Sequence, residues 1–269
     1  MKRAISLICI FGLLSFTIVI AWAQGAKSRY KVVEVSNGGS ISGSVKFVSE
    51  IPQVEQLKIS KDQHVCGSTE ASEAYIVSPE TKGLKNVVIR ITNIRQGKQL
   101  KYTTKDKKTL TPDSNIELHQ EGCVYIPHVQ AAFLGAQADI INDDEVLHNV
   151  HSYSKGRRPA FRWNPKSTLF NFAQPLKGQK VPVELNTKGV IGIKCDVHPW
   201  MASYIYVADH PYFDITDADG QYRITNIPPG EYKLESWHET LATHKKKDLV
   251  IIKAGEETEV DFGFEPAEE

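Results

Sequence analysis

Short runs in which apolar and polar residues alternate constrain the fold of this 269-residue chain more than any other feature. The alternation has a period of two, which places the apolar side chains on one face of a β-strand, and Gly, Pro, Asn and Asp separate the runs. The predicted strands include residues 41–48, 87–91, 181–185, 190–194, 204–207, 222–224, 249–252 and 260–264. Long stretches of helical periodicity are absent, so we predict an all-β chain of antiparallel sandwiches.

The balance of charge excludes one class of partner, and the length bounds the number of domains. Because 32 Lys and Arg residues match 32 Asp and Glu residues, the chain lacks the basic bias of a nucleic-acid binder. The length suits one large or two small domains. We expect a boundary near residue 209, and residues 209–269 are few for an independent sandwich, so the strand 41–48 is a candidate to complete it.

The first residues have the pattern of an export signal. Lys2 and Arg3 precede an apolar run over residues 5–20, and a small-residue cleavage site ends at Ala23. We therefore expect cleavage after Ala23 and a periplasmic or secreted protein. The alternative is a membrane anchor formed by residues 4–23 if this segment is retained.

Cleavage would leave three of the four cysteines. They are Cys66, Cys123 and Cys195. In an oxidising compartment two of them can pair and one is left over, and an exported protein needs a reason for an odd cysteine.

One short segment combines three kinds of soft metal ligand. Cys195, His198 and Met201 follow the predicted strand 190–194 with two residues between each ligand type. Copper electron-transfer sites use two histidines, one cysteine thiolate and a weak axial methionine. His148, which follows an earlier strand and an acidic turn, can supply the second histidine, since strand ends of a sandwich meet at one pole.

These motifs resemble those of the cupredoxins, the small blue-copper proteins, and most closely the amicyanin-like subgroup. The resemblance covers roughly residues 84–208 and implies a Greek-key β-sandwich with one type 1 copper ion. It implies that His148, Cys195, His198 and Met201 bind the copper. It also implies that Asn149, which follows the first histidine, braces the cysteine loop through hydrogen bonds.

The same resemblance implies a docking surface. His198 would reach the surface within an apolar patch that includes Pro199 and Trp200, where a redox partner protein such as a c-type cytochrome or a periplasmic dehydrogenase would bind. The alternative is that Trp200 packs against the second domain. His151 is expected to lie beside the ligands without binding the metal.

The resemblance also gives the other cysteines a role. If Cys195 is a metal thiolate, Cys66 and Cys123 remain to form one disulfide, and no thiol is left over.

The C-terminal region resembles the carboxypeptidase regulatory-like domain, a transthyretin-like sandwich also grouped with carbohydrate-binding-like folds. The matching segments are residues 216–222 and 227–232, and residues 41–45 resemble the first strand of that domain. The expected organisation is a signal peptide (1–23), a β extension (24–83), a copper domain (84–208) and this smaller sandwich (209–269).

These observations predict an exported one-electron carrier rather than an enzyme, because no second metal site or nucleophile–base pair stands out. One alternative is a binding module whose C-terminal domain contacts carbohydrate or an envelope protein. Another is a copper carrier that stores or delivers the ion.

Overall fold

The computed structural model describes residues 28–51, 53–154, 167–245 and 248–265. The predicted signal peptide lies outside the described residues. Within them, no helix has the length and apolar character needed to cross a membrane.

The strands and one short helix of the described residues are numbered in chain order. The first group is β1 (Lys31–Val32), β2 (Gly39–Phe47), β3 (Gln56–Lys58), α1 (Gln63–Cys66), β4 (Thr69–Ala71), β5 (Val88–Ile91), β6 (Gln96–Gly97), β7 (Tyr102–Thr103) and β8 (Thr109–Leu110). The second group is β9 (Asn115–Glu121), β10 (Val124–Ile126), β11 (Val129–Phe133), β12 (Gln137–Asn142), β13 (His148–Ser154), β14 (Thr168–Gln174), β15 (Lys180–Glu184), β16 (Gly189–Lys194) and β17 (Ala202–Ala208). The third group is β18 (Phe213–Ile215), β19 (Gln221–Ile227), β20 (Gly230–Tyr232), β21 (Leu234–His238), β22 (Ala242–Lys245), β23 (Val250–Ile252), β24 (Glu257–Glu259) and β25 (Phe262–Phe264).

The first sandwich consists of two sheets with a common apolar core. One sheet has the strand order β10-β9-β12-β15, and the other has the order β11-β17-β16-β13-β14. In β9, Ile116 and Leu118 are buried while their neighbours Asn115 and Glu117 are exposed, as the period of a strand requires. The central strand β16 is buried along most of its length, because other strands pair with both of its edges.

The second sandwich takes its central strand from the N-terminal part of the chain. Strand β2 pairs with β19 on one edge and with β24 and β25 on the other. Ile41, Val45 and Phe47 of β2 are fully buried in the second core. The C-terminal strands therefore do not build this sandwich alone.

A four-stranded sheet with the order β18-β5-β21-β22 lies between the two cores. In β5, Val88 packs in the first core, whereas Ile89 and Ile91 pack in the second. Trp237 of β21 also belongs to the first core, and Leu234 of the same strand belongs to the second. Strand β5 is therefore buried on both faces and belongs to a sheet that contributes to both cores.

The predicted all-β sandwich fold is confirmed, but its strands are not all antiparallel. Strand β12 runs parallel to β9, β17 runs parallel to β11, and β24 and β25 run parallel to β2. The sequence pattern predicted antiparallel structure. A period of two identifies the buried face of a strand but contains no information about the direction of its neighbour.

Candidate metal centre

The end of one strand and the start of another bring the predicted ligands together. His148 is the first residue of β13, and Cys195 directly follows β16. These two strands pair antiparallel with His151 opposite Lys194, so the start of β13 lies beside the loop after β16. The loop connecting β16 to β17 therefore closes over the first residue of β13.

Backbone hydrogen bonds hold this ligand loop in a tight turn. The Met201 N–H donates to the His198 carbonyl at 3.0 Å, and the Cys195 N–H donates to the Met201 carbonyl at 3.3 Å. Met201 is buried, with 2% of its surface exposed. Cys195, His198 and Met201 are therefore all buried at one end of the first sandwich.

Three potential ligand atoms converge within this buried space. Nδ1 of His148 lies 3.0 Å from Nδ1 of His198, and Sγ of Cys195 lies 3.7 Å from the same His198 nitrogen. Suitable ligand atoms of the three residues all lie within 4.8 Å of one another, and none of the three residues has exposed surface. The structure brings together the two histidines and the cysteine that the sequence singled out.

The cysteine sulfur accepts two backbone hydrogen bonds. The N–H groups of Asn149 and His198 each lie 3.3 Å from Sγ of Cys195. Burial opposes ionisation of the thiol, but hydrogen bonds with His148, His198 and the two amides outweigh it and lower the pKa of Cys195 to about 6. The environment therefore favours the thiolate, which is the form that binds metals.

Asn149 also connects β13 to the ligand loop through its side chain. Its Oδ1 accepts a hydrogen bond from the Asp196 N–H at 3.3 Å, and its Nδ2 donates to the Phe172 carbonyl of β14 at 3.1 Å. Asn149 therefore braces the loop immediately after the cysteine.

The other ring nitrogen of each imidazole forms a hydrogen bond with a carboxylate. Nε2 of His148 lies 2.8 Å from Asp144 Oδ2, and Nε2 of His198 lies 2.9 Å from Asp62 Oδ2. The hydrogen bond from His198 lowers the pKa of Asp62. Because a carboxylate accepts hydrogen bonds, each Nε2 carries a proton, and each Nδ1 has a lone pair directed at the site.

This arrangement leaves three electron-rich atoms facing one another, and a cation between them would stabilise it. Burial of His148 opposes its protonation, but Asp144 and the Cys195 sulfur outweigh that effect and raise its pKa. A proton on its Nδ1 can therefore bridge the 3.0 Å contact with His198 when no metal is bound. A metal ion would replace that proton. A thiolate, two imidazoles and a thioether suit copper, so the residues fit the predicted cofactor.

A two-residue turn between β9 and β10 supports the site from behind. Gly122 and Cys123 both have positive φ angles, 60° and 63°, as a tight hairpin turn of this length requires. Their N–H groups each donate to the Asp144 carboxylate at 2.8 Å and so fix the carboxylate that contacts His148.

The same turn carries the predicted disulfide, which is confirmed. Cys66 and Cys123 are joined, with their Cα atoms 5.1 Å apart, and Cys195 is the free cysteine of the described residues. Sulfur atoms of the disulfide lie within 4.8 Å of a ring nitrogen of His198. These sulfurs are bonded to each other, so they offer no thiolate to a metal.

The expected exposure of His198 is wrong. A hairpin formed by residues 56–71, which contains β3, α1 and β4, contributes Asp62 against the outer ring edge, and His198 has no exposed surface. Pro199 is exposed. Trp200 is half-buried against the first core, and its Nε1 donates to the Cys123 carbonyl at 3.1 Å. The 56–71 hairpin covers the edge of the His198 ring that was expected to face solvent.

His151 lies beside the site and outside the converging ligand atoms. Its Nδ1 is 2.7 Å from Asp196 Oδ2 and 2.8 Å from the Tyr153 hydroxyl, and its Nε2 is 2.9 Å from Thr168 Oγ1. Both ring nitrogens are therefore engaged, and His151 connects β13 to the residue that follows Cys195.

Sequence reasoning missed both carboxylates and the supporting turn. Asp144 lies four residues before His148 in the acidic turn, and the rule that a ligating histidine needs a second partner could have identified it. Asp62 lies 136 residues from His198, and no local pattern connects the two.

Comparison with protein families gives one match in the C-terminal part of the chain. The family described as polysaccharide lyase family 4, domain II, matches residues 186–260. This family differs from the carboxypeptidase regulatory-like domain predicted for that region. The match begins in the first sandwich, before β16, and ends in the second. Among curated proteins, none matches this chain.

Several solved structures are similar to parts of this chain. A purple cupredoxin from Nitrosopumilus maritimus has 22% identity and a TM-score of 0.28, covering 35% of this chain and 99% of that chain. A copper-containing nitrite reductase from Thermus scotoductus has 17% identity and a TM-score of 0.28, covering 35% and 22%. A reduced amicyanin variant has 20% identity and a TM-score of 0.29, covering 35% and 83%. Each of these similarities covers about a third of this chain.

Proposed function

We propose that this protein holds a single copper ion with His148, Cys195, His198 and Met201 and transfers one electron at a time. The observation that supports this most strongly is the buried contact between two Nδ1 atoms and a cysteine sulfur, with a carboxylate on the far side of each imidazole. Copper, when bound, supplies the Cu(II)/Cu(I) couple.

The protein's own task is to keep the ligands in one arrangement. His148, Cys195 and His198 have no exposed surface, so bulk solvent does not contact them. The amides of Asn149 and His198 hold the sulfur, and Asp144 and Asp62 hold the two rings. Because little has to move when the charge changes, such a site suits electron transfer, and the hydrogen bonds to sulfur contribute to the reduction potential.

The same rigidity favours an electron carrier over a copper carrier. A protein that delivers copper needs ligands that are exposed and mobile enough to release the ion. Here the ligand loop is closed by backbone hydrogen bonds, and the 56–71 hairpin covers His198. The ligands therefore lack the access that rapid release requires.

We place the redox partner on the surface around Pro199. The Trp200 ring lies 5.1 Å from the His198 ring and is half-buried, so it leads from the covered imidazole toward the exterior. The proposed partner is a c-type cytochrome or a periplasmic dehydrogenase. The copper protein is periplasmic or secreted, and it carries electrons without catalysing a reaction. The exposed proline beside an aromatic ring suits a transient, largely apolar contact.

Spectroscopy of the purified protein with and without its free thiol tests the site. Cu(II) is added to the wild type, to Cys195→Ser and to the control His119→Gln, which changes a half-buried histidine of β9 outside the converging ligand atoms. We expect an intense thiolate-to-copper absorption band and a matching EPR signal in the wild type and the control, and neither in Cys195→Ser. A colourless wild-type protein with only weak copper binding would contradict the proposal.

Voltammetry then separates a shuttle from a carrier. A reversible one-electron wave, with no loss of copper to a chelator during cycling, is the expected result. Loss of the ion on each reduction would instead identify a protein that releases copper.

A further inference from the structure

The 56–71 hairpin attaches to the first sandwich at points on either side of its short helical turn. Strands β3 and β4 pair with each other, and Ile59 after β3 is fully buried in the first core. Cys66, at the end of α1, is joined to Cys123 by the disulfide. Between these two anchors, Asp62 reaches His198.

Asp62 has a backbone conformation that few residues other than glycine adopt. Its φ and ψ angles are 51° and 35°, in the left-handed region, where aspartate is among the better tolerated side chains. Asp62 occupies the position before α1 at which an aspartate normally accepts hydrogen bonds from the first helical N–H groups. In this structure its side chain makes no such bond, and its backbone carbonyl accepts from Val65 and Cys66 instead.

The carboxylate is thus directed away from its own helix and onto His198. We infer that Asp62 is a positioning residue: it fixes the ring of His198 through Nε2 so that Nδ1 faces Cys195 and His148. This inference rests on the proposed copper function, because Nδ1 is the atom that would bind the ion.

The disulfide also helps to hold Asp62 in position. It joins the helical turn that begins after Asp62 to the Gly122–Cys123 turn, whose amides hold Asp144. The Gly122–Cys123 turn therefore holds Asp144, which contacts His148, through its amides. It supports Asp62, which contacts His198, through the disulfide. A segment outside both sheets of the sandwich is in this way tied to the interior of the site.

The first test determines the tautomer of the His198 ring in the metal-free protein. Long-range nitrogen–proton NMR of the metal-free protein reports which ring nitrogen carries the proton. We expect the proton on Nε2 in the wild type and a mixture of the two tautomers in Asp62→Gly, which removes the carboxylate and suits the positive φ angle. Asp62→Asn keeps an acceptor oxygen and is expected to restore the Nε2 form.

The second test measures the rate at which copper transfers from each variant to a strong chelator, together with the reduction potential. Outer partners of metal-bound histidines typically contribute about 10–100-fold to metal affinity. We expect at least about tenfold faster copper release and a shifted potential in Asp62→Gly, with Asp62→Asn between it and the wild type. Asp113→Gly, which removes an exposed carboxylate before β9, is the matched control and is expected to behave as the wild type.

The third test separates the carboxylate from its anchor. Cys66→Ser with Cys123→Ser removes the disulfide and leaves no new thiol beside the site. We expect faster copper release with Asp62 still present, and a further increase when Asp62→Gly is added.

The inference is overturned if Asp62→Gly keeps the wild-type tautomer, release rate and potential. A wild-type protein without a thiolate-to-copper band would overturn the proposed function instead, and the metal-free NMR result would still decide the role of Asp62. The two failures are therefore distinguishable.

Discussion

The buried histidines of the two sandwiches have opposite surroundings. In the first sandwich, His148 and His198 each donate to a carboxylate through Nε2. In the second, Nδ1 of His210 accepts from the Tyr212 N–H at 3.2 Å, and Nδ1 of His238 accepts from the Leu241 N–H at 3.3 Å. Burial lowers the pKa of both His210 and His238 to about 4, so these two rings are neutral at physiological pH.

The difference shows that the partner of a buried histidine decides its role. A carboxylate on Nε2 leaves Nδ1 free for a metal, whereas a backbone N–H that donates to Nδ1 uses the same lone pair. His238 then packs as an aromatic ring, stacked on Tyr75 with 6.0 Å between ring centroids. Burial alone would not distinguish a ligand from a packing residue.

The largest effect should appear when a histidine of the first sandwich that contacts a carboxylate loses its Nδ1, and a buried histidine of the second sandwich serves as the control. His148→Gln keeps an amide near Asp144 but removes the Nδ1 ligand, so we expect loss of the thiolate-to-copper band and at least a 100-fold loss of copper affinity, beyond the range of an outer partner. His238→Asn keeps an acceptor in place of Nδ1 and should retain both. Absorption spectra and calorimetric titration measure these properties, and an unchanged band in His148→Gln would remove this residue from the ligand set.

His128 sharpens the comparison, because it is a buried histidine with carboxylates but without a nearby thiolate. Burial opposes its charge, but Glu239 and Glu73 outweigh that effect and raise the pKa of His128 to about 10. At His128 the folded protein therefore binds more protons than the unfolded chain between pH 6.5 and 10, so the contribution of this residue to the free energy of unfolding should fall as pH rises through this range, by at most roughly 5 kcal/mol.

Denaturant unfolding at a series of pH values measures this effect. The difference in stability between His128→Gln and the wild type should shift in favour of the variant as pH rises from 6.5 to 10, because Gln has no proton to lose. Parallel curves for the wild type and the variant between pH 6.5 and 10 would show that the Glu239 contact does not stabilise a charged His128.

Which features of the fold and the site could be predicted depends on how far apart in the sequence the interacting residues lie. Strand β16 and the side chains of Cys195, His198 and Met201 lie within one short segment, so period and spacing were enough to predict the strand and to single out these three residues, which the structure buries. The two-sided burial of β5 was missed, although the consecutive apolar residues Val87, Val88 and Ile89 break the alternation that a single covered face produces. Asp62 was missed, and His198 was expected at the surface, because the 56–71 hairpin returns to the site through a disulfide and not through any sequence pattern.

The smallest of these effects concerns acid stability and the neutral histidines of the second sandwich. The unfolded chain protonates His238 near pH 6.5, whereas the folded protein does so only near pH 4, so between these values the unfolded state binds more protons. The free energy of unfolding should therefore fall as pH drops from 6.5 to 4, by at most roughly 3 kcal/mol for this residue.

Asn cannot take up that proton, so the difference in stability between His238→Asn and the wild type should shift in favour of the variant as pH falls. Unfolding curves at pH 7 and pH 4.5 test this, and since both proteins share every residue of the metal site, its titration cancels in the comparison. A difference that does not change with pH would show that His238 is protonated in the folded protein as readily as in the unfolded chain.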